Sequence, residues 1–436
     1  MIILILSLSI FSVFQGMVLP GFDAVSPFLV LQFCFFGYAI IYWMKNGFIF
    51  DPKWYWMFFF FTGFVAYSII SAFIFPILFD GIRVYSPRGG IDQQYVARGI
   101  LQMSTSNIAL AISLFLYWVQ VVFVMTNRKK NLTHVFEKGY LISALLVMFF
   151  AYYQLLNILT GIYFPKEYIL NNKNYAIAGE ASFGFLPRIN ATFTEPSFYA
   201  MFMSGFVAWI YVKFANQEGF KNSLLWFGMV LMGIFSLIIS ASSTGYVSIF
   251  IFFICYSLKT TFFGNSVPVK KKILTTISLI SLTLVFSYLF IPGVDAVVNT
   301  LVFDKGASNS SLHRLASDTF AFTILEETYY LGAGLGSNRP SSFFTFMVSN
   351  IGIIGVALML FSILFLLVLA GRGKRNEKNN IQLVSLQAAG WALFTMLVSK
   401  VLAGAELNFP SMWILICYYI AAVAGMTSRK ERFQHR

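Results

Sequence analysis

The chain has 436 residues, 58% hydrophobic and only 11% charged, with 51 Phe and a formal net charge of +13. Soluble proteins carry about 25% charged residues, so this composition excludes an ordinary soluble domain. The basic excess is better explained by its placement between apolar runs than by a nucleic-acid partner, and no nucleic acid is expected to bind.

Twelve apolar runs follow in chain order, near 2–18, 27–44, 54–79, 108–126, 140–161, 196–212, 222–239, 244–258, 273–291, 343–370, 381–403 and 409–426. About 20 mostly apolar residues cross the roughly 30 Å hydrocarbon core of a bilayer, so each run is predicted to be a transmembrane helix. The first run lacks the basic leader and small-residue cleavage site of a secretory signal and is predicted to be a retained span. The sequence therefore predicts an all-α polytopic integral membrane protein of about 12 helices, forming a single transmembrane domain over 1–436.

Alternate connections differ sharply in charge. Those on the side of both termini hold 20 of the 30 Lys and Arg residues, including the blocks 128–130, 270–272, 372–375 and 429–432. The opposite connections hold nine basic residues against twelve acids, and Lys400 falls inside a span. Basic loops stay in the cytoplasm, which predicts both termini inside. Three substantial segments then lie outside: 80–107 and the larger loops 162–195 and 292–342. Long loops commonly bind or catalyse. The apolar, aromatic stretch Phe320 to Tyr330 reads as one or two short amphipathic helices at the interface.

Cys34, Cys255 and Cys417 all lie in apolar runs without CxxC spacing or His neighbours, which supports neither a disulfide framework nor a zinc site. His134 and His435 fall on inside segments. The sequon Asn190-Ala191-Thr192 is read as incidental. No internal repeat is evident, and ionisable residues are nearly absent from the spans. Both features disfavour a transporter.

Three outer constellations can carry chemistry. Arg188 to Phe198, RINATFTEPSF, joins the loop 162–195 to the sixth run. Pro196 suits the first turn of a helix, which puts Glu195 at the helix N-terminus, where the dipole favours a carboxylate. Two readings stand at this point. Glu195 is a capping acid paired with Arg188, or Arg188 binds an anion while Glu195 orients or deprotonates an acceptor hydroxyl.

The second constellation holds His313, Arg314, Asp318, Glu326, Glu327, Gly334, Gly336 and Arg339. Gly334-Leu335-Gly336 gives a turn able to bring backbone N–H groups to a phosphate, or an ordinary turn. Arginine suits a diphosphate because its planar fork bonds two oxygens and stays charged. The third is SASSTGY, Ser240 to Tyr246, whose small hydroxyl residues allow close helix packing or substrate contact. Lys400 and Glu406 are further charges near membrane depth.

Taken in this order, the motifs resemble the bacterial O-antigen polymerase and O-antigen ligase superfamily of membrane glycosyltransferases over nearly the whole chain. The resemblance rests on the twelve-span plan with two large outer loops and on Arg188 with Thr194-Glu195-Pro196-Ser197 opening a span. It also rests on the serine-rich hairpin with Gly245, and on Arg314 followed by Gly334-Leu335-Gly336, Gly352 and Gly355. It implies a multi-pass protein of the bacterial inner membrane, with its active site facing the periplasm, that acts on sugars linked to undecaprenyl diphosphate. Polymerases of this group transfer growing glycan from the lipid diphosphate to the non-reducing end of the next lipid-linked repeat, in the biosynthesis of lipopolysaccharide or a similar surface polysaccharide. Ligases transfer finished glycan to lipid A-core and typically carry a histidine after the GxG segment. Here SNRPSSFFTFMVSN has none, and His313 precedes the glycines, which favours a polymerase.

The implied site has Glu195 and Arg314 as catalytic groups, with Arg188, Arg339, Gly334, Gly336 and His313 as substrate ligands. No cofactor and no metal is expected, since arginines can stabilise the leaving diphosphate. Membrane lipids and a chain-length regulator are the implied partners. The chain departs from the pattern of an arginine followed eleven positions later by glycine, which some polymerases carry in both large loops. A ligase is the nearest alternative, and a flippase or transporter the more distant one.

Overall fold

The computed structural model describes residues 2–434 except 22–24, 86–97, 128–131, 173–181, 184–185, 217–219, 264–268, 271, 273 and 275–308, together with 377–379. The helices are α1 (Ile2–Phe11), α2 (Pro27–Asn46), α3 (Tyr55–Leu78), α4 (Thr105–Thr126), α5 (Thr133–Thr160), the four-residue α6 (Lys166–Ile169) and α7 (Pro196–Ala215). They continue with α8 (Phe220–Ile239), α9 (Ser243–Phe263), α10 (Asn309–Glu327), α11 (Phe343–Asn376), α12 (Asn380–Ala403) and α13 (Pro410–Gln434). Two short antiparallel pairs, β1 (Arg83–Tyr85) with β2 (Arg98–Ile100) and β3 (Ser182–Phe183) with β4 (Leu186–Pro187), sit in the connections after α3 and α6.

Among the described residues, eight helices are long and apolar enough to cross a membrane, and Ser223–Ile239 and Pro410–Met426 are shorter apolar helices. The expected run near 273–291 lies outside the described residues apart from Leu274. The first run differs from expectation. Its helix stops at Phe11, after about 15 Å at 1.5 Å per residue. The following backbone pairs elsewhere: Gly16 N–H donates to Thr192 O at 2.9 Å, the Thr192 hydroxyl donates to Val13 O at 2.6 Å, and Asn172 N–H donates to Gly16 O at 2.9 Å. These partners replace a helical ladder.

Local sequence fixes the helix ends. Ser26 caps α2 by accepting from Leu29 N–H at 3.2 Å, with Pro27 in the first turn. Asn107 Oδ1 reaches back to Ser104 N–H at 2.8 Å at the start of α4. Gly161 closes α5 in the left-handed conformation.

The bundle is organised around α7, of which every residue except Lys213 is buried. A helix that is apolar all round belongs in the centre, and α8, α9 and α12 pack against it. Gly205 lets α12 approach, since a Cβ there would lie 3.2 Å from Met396 Cε and 3.3 Å from Ala392 O. Ser204, Ser399 and Ser248 join α7, α12 and α9 by hydrogen bonds of 3.0 and 2.7 Å in the buried interior. Such small polar residues bind helices together where lipid removes the hydrophobic driving force.

We call the end of the bundle that carries Glu195 the upper end. The opposite end is tied by Glu137 of α5, whose Oε1 accepts from Lys213 of α7, from Ser385 of α12 at 2.8 Å and from Tyr418 of α13 at 3.1 Å.

Candidate functional site

Glu195 is delivered by a rigid approach. Ile189 N–H donates to Ile239 O at 3.1 Å, which joins this segment to the α8–α9 turn. Gln154 of α5 accepts from Ala191 N–H at 2.8 Å and donates to Asn190 Oδ1 at 2.8 Å, while Asn190 Nδ2 donates to Phe193 O at 2.7 Å. Ala191 adopts φ 52. The sequon is thus internal: Asn190 and Thr192 are both buried.

At the end of this approach Glu195 is extended, and its carbonyl accepts from Phe198 and Tyr199 N–H at 3.1 Å as α7 begins. Its carboxylate does not cap the helix. Instead Oε2 accepts from the Ser197 hydroxyl at 2.9 Å. The capping hydrogen bond of the first reading is thus not formed, because the carboxylate is engaged by the Ser197 hydroxyl instead, while its charge still acts on Arg188 and the half-buried carboxylate remains at the upper end.

Arg188 is half-buried. Burial pushes its guanidinium below the usual arginine range, the charge of Glu195 pulls it back up, and the charge of Arg314 lowers it further. The fold thus brings Arg188 within electrostatic reach of both Glu195 and Arg314, although Arg314 comes from a different connection. Arg314 and His313 are half-buried neighbours on α10. That helix is fastened to the start of α11: Asp318 Oδ1 accepts from Ser341 N–H at 2.8 Å, Ser342 N–H at 3.1 Å and the Thr345 hydroxyl at 2.7 Å. The cap of α11 itself is Ser342, whose Oγ accepts from Thr345 N–H at 3.3 Å, and Asp318 holds that cap in place.

Of the two readings of Gly334-Leu335-Gly336, the geometry favours the ordinary turn. Their N–H groups are used inside the protein. Gly334 donates to Asn350 O at 2.8 Å, Leu335 to the Ser71 hydroxyl at 3.2 Å and Gly336 to Asn350 Oδ1 at 3.0 Å. Both glycines have positive φ and sit against neighbouring backbone. A Cβ on Gly334 would lie 2.6 Å from Ser71 O, and one on Gly336 would lie 3.0 Å from Ser106 O. The turn is a packing wedge between α3, α4 and α11.

The same wedge repairs a break in α11. Gly352 has φ 60 and ψ −168 inside this helix. Ser349 O and Asn350 O accept from Ala333 and Gly334 N–H at 2.8 Å, and Ile353 N–H donates to Tyr330 O at 3.0 Å. Non-helical backbone at membrane depth requires such internal partners.

Arg339 is the most exposed of the candidate arginines, and it forms an ion pair with Glu406 in the α12–α13 turn. Lys400 is completely buried below that turn. Its Nζ donates to Glu406 O and lies 5.1 Å from the ring centres of both Phe343 and Phe409. Lys400 therefore does not snorkel to the surface. Arg339, Glu406 and Lys400 form a second charged group. It is linked to α10 through Ser341, whose hydroxyl pairs with Ser317 at 2.9 Å and whose carbonyl accepts from Gly404 N–H at 3.1 Å.

The serine-rich turn is a packing feature on this geometry: a Cβ on Gly245 would lie 2.8 Å from Ala200 Cβ of α7. Sequence reasoning missed Asn350 as the organiser of the wedge. An amide inside an apolar run two positions before a glycine was the available signal. It also missed the Glu137 tie, since nothing in spacing joins residues of four separate helices. Among the described residues, no three His, Cys, Asp or Glu side chains are grouped as metal ligands. In comparison with known proteins, the chain matches no protein-family model. No curated protein matches it significantly.

Proposed function

We propose that the chain is a membrane glycosyltransferase that polymerises lipid-linked oligosaccharide repeats at the outer face of a bacterial inner membrane. In this reading the upper end faces the periplasm. One observation carries it: Arg188 lies within electrostatic reach of both the Glu195 carboxylate and Arg314, the latter from a separate connection, at the end of a helix enclosed by other apolar helices.

The chemistry matches that set. The bond from the donor sugar's anomeric carbon to the undecaprenyl diphosphate oxygen breaks, and the electron pair leaves with the diphosphate. Arg188 and Arg314 stabilise the charge that develops there. A hydroxyl at the non-reducing end of the incoming repeat forms the new bond to the anomeric carbon, and Glu195 orients it and takes its proton. His313, next to Arg314, supplies a further polar contact to the donor. Arg339 reaches an anionic substrate by exchanging its Glu406 partner, and the two glycines take no part.

The experiment is to size the lipid-linked and surface glycan in a strain lacking the gene. Single repeats, restored to a ladder by the wild-type gene, support the proposal. Long chains retained on the carrier make the protein a ligase. Repeats trapped on the cytoplasmic side make it a transporter.

A further inference from the structure

The end of α10 breaks a local rule. Tyr330 N–H donates to Leu325 O at 2.8 Å and Tyr329 N–H donates to Glu326 O at 3.0 Å. This is the nested pair of a Schellman motif, whose first residue past the cap is left-handed and usually glycine. Tyr329 occupies that position with φ 49, and Tyr330 follows with φ 64. Left-handed backbone is strained for residues with a Cβ. Packing does not explain the choice, because Tyr329 is 79% exposed and Tyr330 53%.

The pair is nevertheless held firmly. Tyr330 O accepts from Ile353 N–H at the break in α11, and Leu331 and Gly332 N–H return to Thr328 O and Oγ1 at 3.0 and 3.1 Å. The most apolar stretch of α11, beyond the polar pair Ser349-Asn350, begins at Ile351, and in the proposed reading the two rings stand at the upper edge of the hydrocarbon layer. Interfacial tyrosines often anchor a protein among lipid headgroups. Two things argue against that use here. An anchor can be placed on any exposed position without backbone strain, and the exposed carboxylates of Glu326 and Glu327 adjoin the pair. Those carboxylates repel phosphate headgroups and accept hydrogen bonds from sugar hydroxyls.

We propose that Tyr329 and Tyr330, flanked by Glu326 and Glu327, form a glycan-binding platform that holds a sugar ring as it emerges above the membrane. The negative faces of the rings attract the polarised C–H groups of a pyranose, while the carboxylates accept from its hydroxyls. The ligand class is an uncharged or amino sugar. This inference rests on the proposed function and adds a sugar subsite distinct from the arginines that hold the diphosphate.

The test uses the full-length protein in nanodiscs and, as probe, the repeat-unit oligosaccharide of the host's own surface glycan released from its lipid by mild acid. Binding is followed by saturation-transfer NMR with irradiation of aromatic protons. Tyr329→Gly is the informative variant, because it removes the ring and gives the left-handed position its preferred residue, so misfolding cannot explain a loss. Tyr329→Gly and Tyr330→Ala are expected to weaken binding by roughly tenfold, with Tyr329→Phe and Tyr330→Phe close to wild type. Wild-type affinity in Tyr329→Gly and Tyr330→Ala overturns the platform and leaves the polymerase reading standing, with the tyrosines then serving the lipid interface. If the wild-type protein binds no oligosaccharide, the platform falls. A normal glycan ladder in the deletion strain then removes the polymerase reading as well.

Discussion

Asn350 Oδ1 accepts the backbone N–H groups of both Gly336 and Asn338, each at 3.0 Å. Its Nδ2 donates to Asn338 O at 2.8 Å and Phe346 O at 2.9 Å. One buried amide thus holds the wedge against the broken helix. Each buried polar group left unsatisfied costs about 1–3 kcal/mol. Asn350→Leu is therefore expected to lower the thermal midpoint in detergent more than any single loop substitution at an exposed position. A midpoint within a degree of wild type would show that the wedge is not held this way.

The glycines around the wedge should rank by what a side chain would strike. A Cβ would come within 2.2 Å of Tyr330 O at Gly352, 2.6 Å of Ser71 O at Gly334 and 3.0 Å of Ser106 O at Gly336. Folded yield, measured by fluorescence-detected size exclusion, should fall in the order Gly352→Ala, Gly334→Ala, Gly336→Ala, from the largest loss to the smallest. If these glycines instead served an anion, the alanine variants would keep normal yield and lose function.

Arg188 should show opposite effects on stability and activity. Burial and Arg314 together outweigh Glu195 and lower its pKa, so the folded protein holds that charge at a cost. Arg188→Gln is expected to melt at or above the wild-type temperature while leaving the strain with single-repeat glycan. Strain stored in a functional site commonly trades in this way. A clear drop in melting temperature with a normal ladder would assign Arg188 to structure alone.

At the lower end, Glu137→Ala leaves the Lys213 ammonium without its carboxylate in a partly buried setting. Breaking one side of a buried pair costs about 3–5 kcal/mol, whereas replacing both sides by apolar groups is far milder. Glu137→Leu with Lys213→Met should therefore recover most of the stability that Glu137→Ala loses. A double variant no better than the single would mean that Ser385 and Tyr418 need the carboxylate more than Lys213 does.

Much of the bundle was legible because apolar run length is a one-dimensional signal. The runs ending near 44, 79, 126, 161 and 403 match helices that end at Asn46, Leu78, Thr126, Thr160 and Ala403. Where the reading went astray, the deciding partners were remote in sequence. The helix of the first run stops early because Thr192 and Asn172 take over its backbone. The apolar run from 343 contains a break that only Tyr330 to Gly334 reveals. Arg188 and Glu195 were recognisable from Pro196 and charge type, and Arg314 from its outer position. Their mutual approach was not, since it depends on how α10 is fastened to α11 by Asp318. The GxG turn left two readings open because a glycine needed for close packing and one needed for anion binding look the same in a sequence.

The enclosure of α7 also constrains how the chain is made. Its partner α12, which meets it through Ser399 with Ser204 and through Ala392 and Met396 at Gly205, emerges from the ribosome almost two hundred residues later. Until then one flank of α7 rests against lipid, with Ser204 lacking the Ser399 hydroxyl. Final closure of the bundle is thus a post-insertion event. A ribosome-bound intermediate truncated before Asn380 should have α7 accessible to lipid-phase photocrosslinkers at Ser204, and release of the full-length chain should protect it.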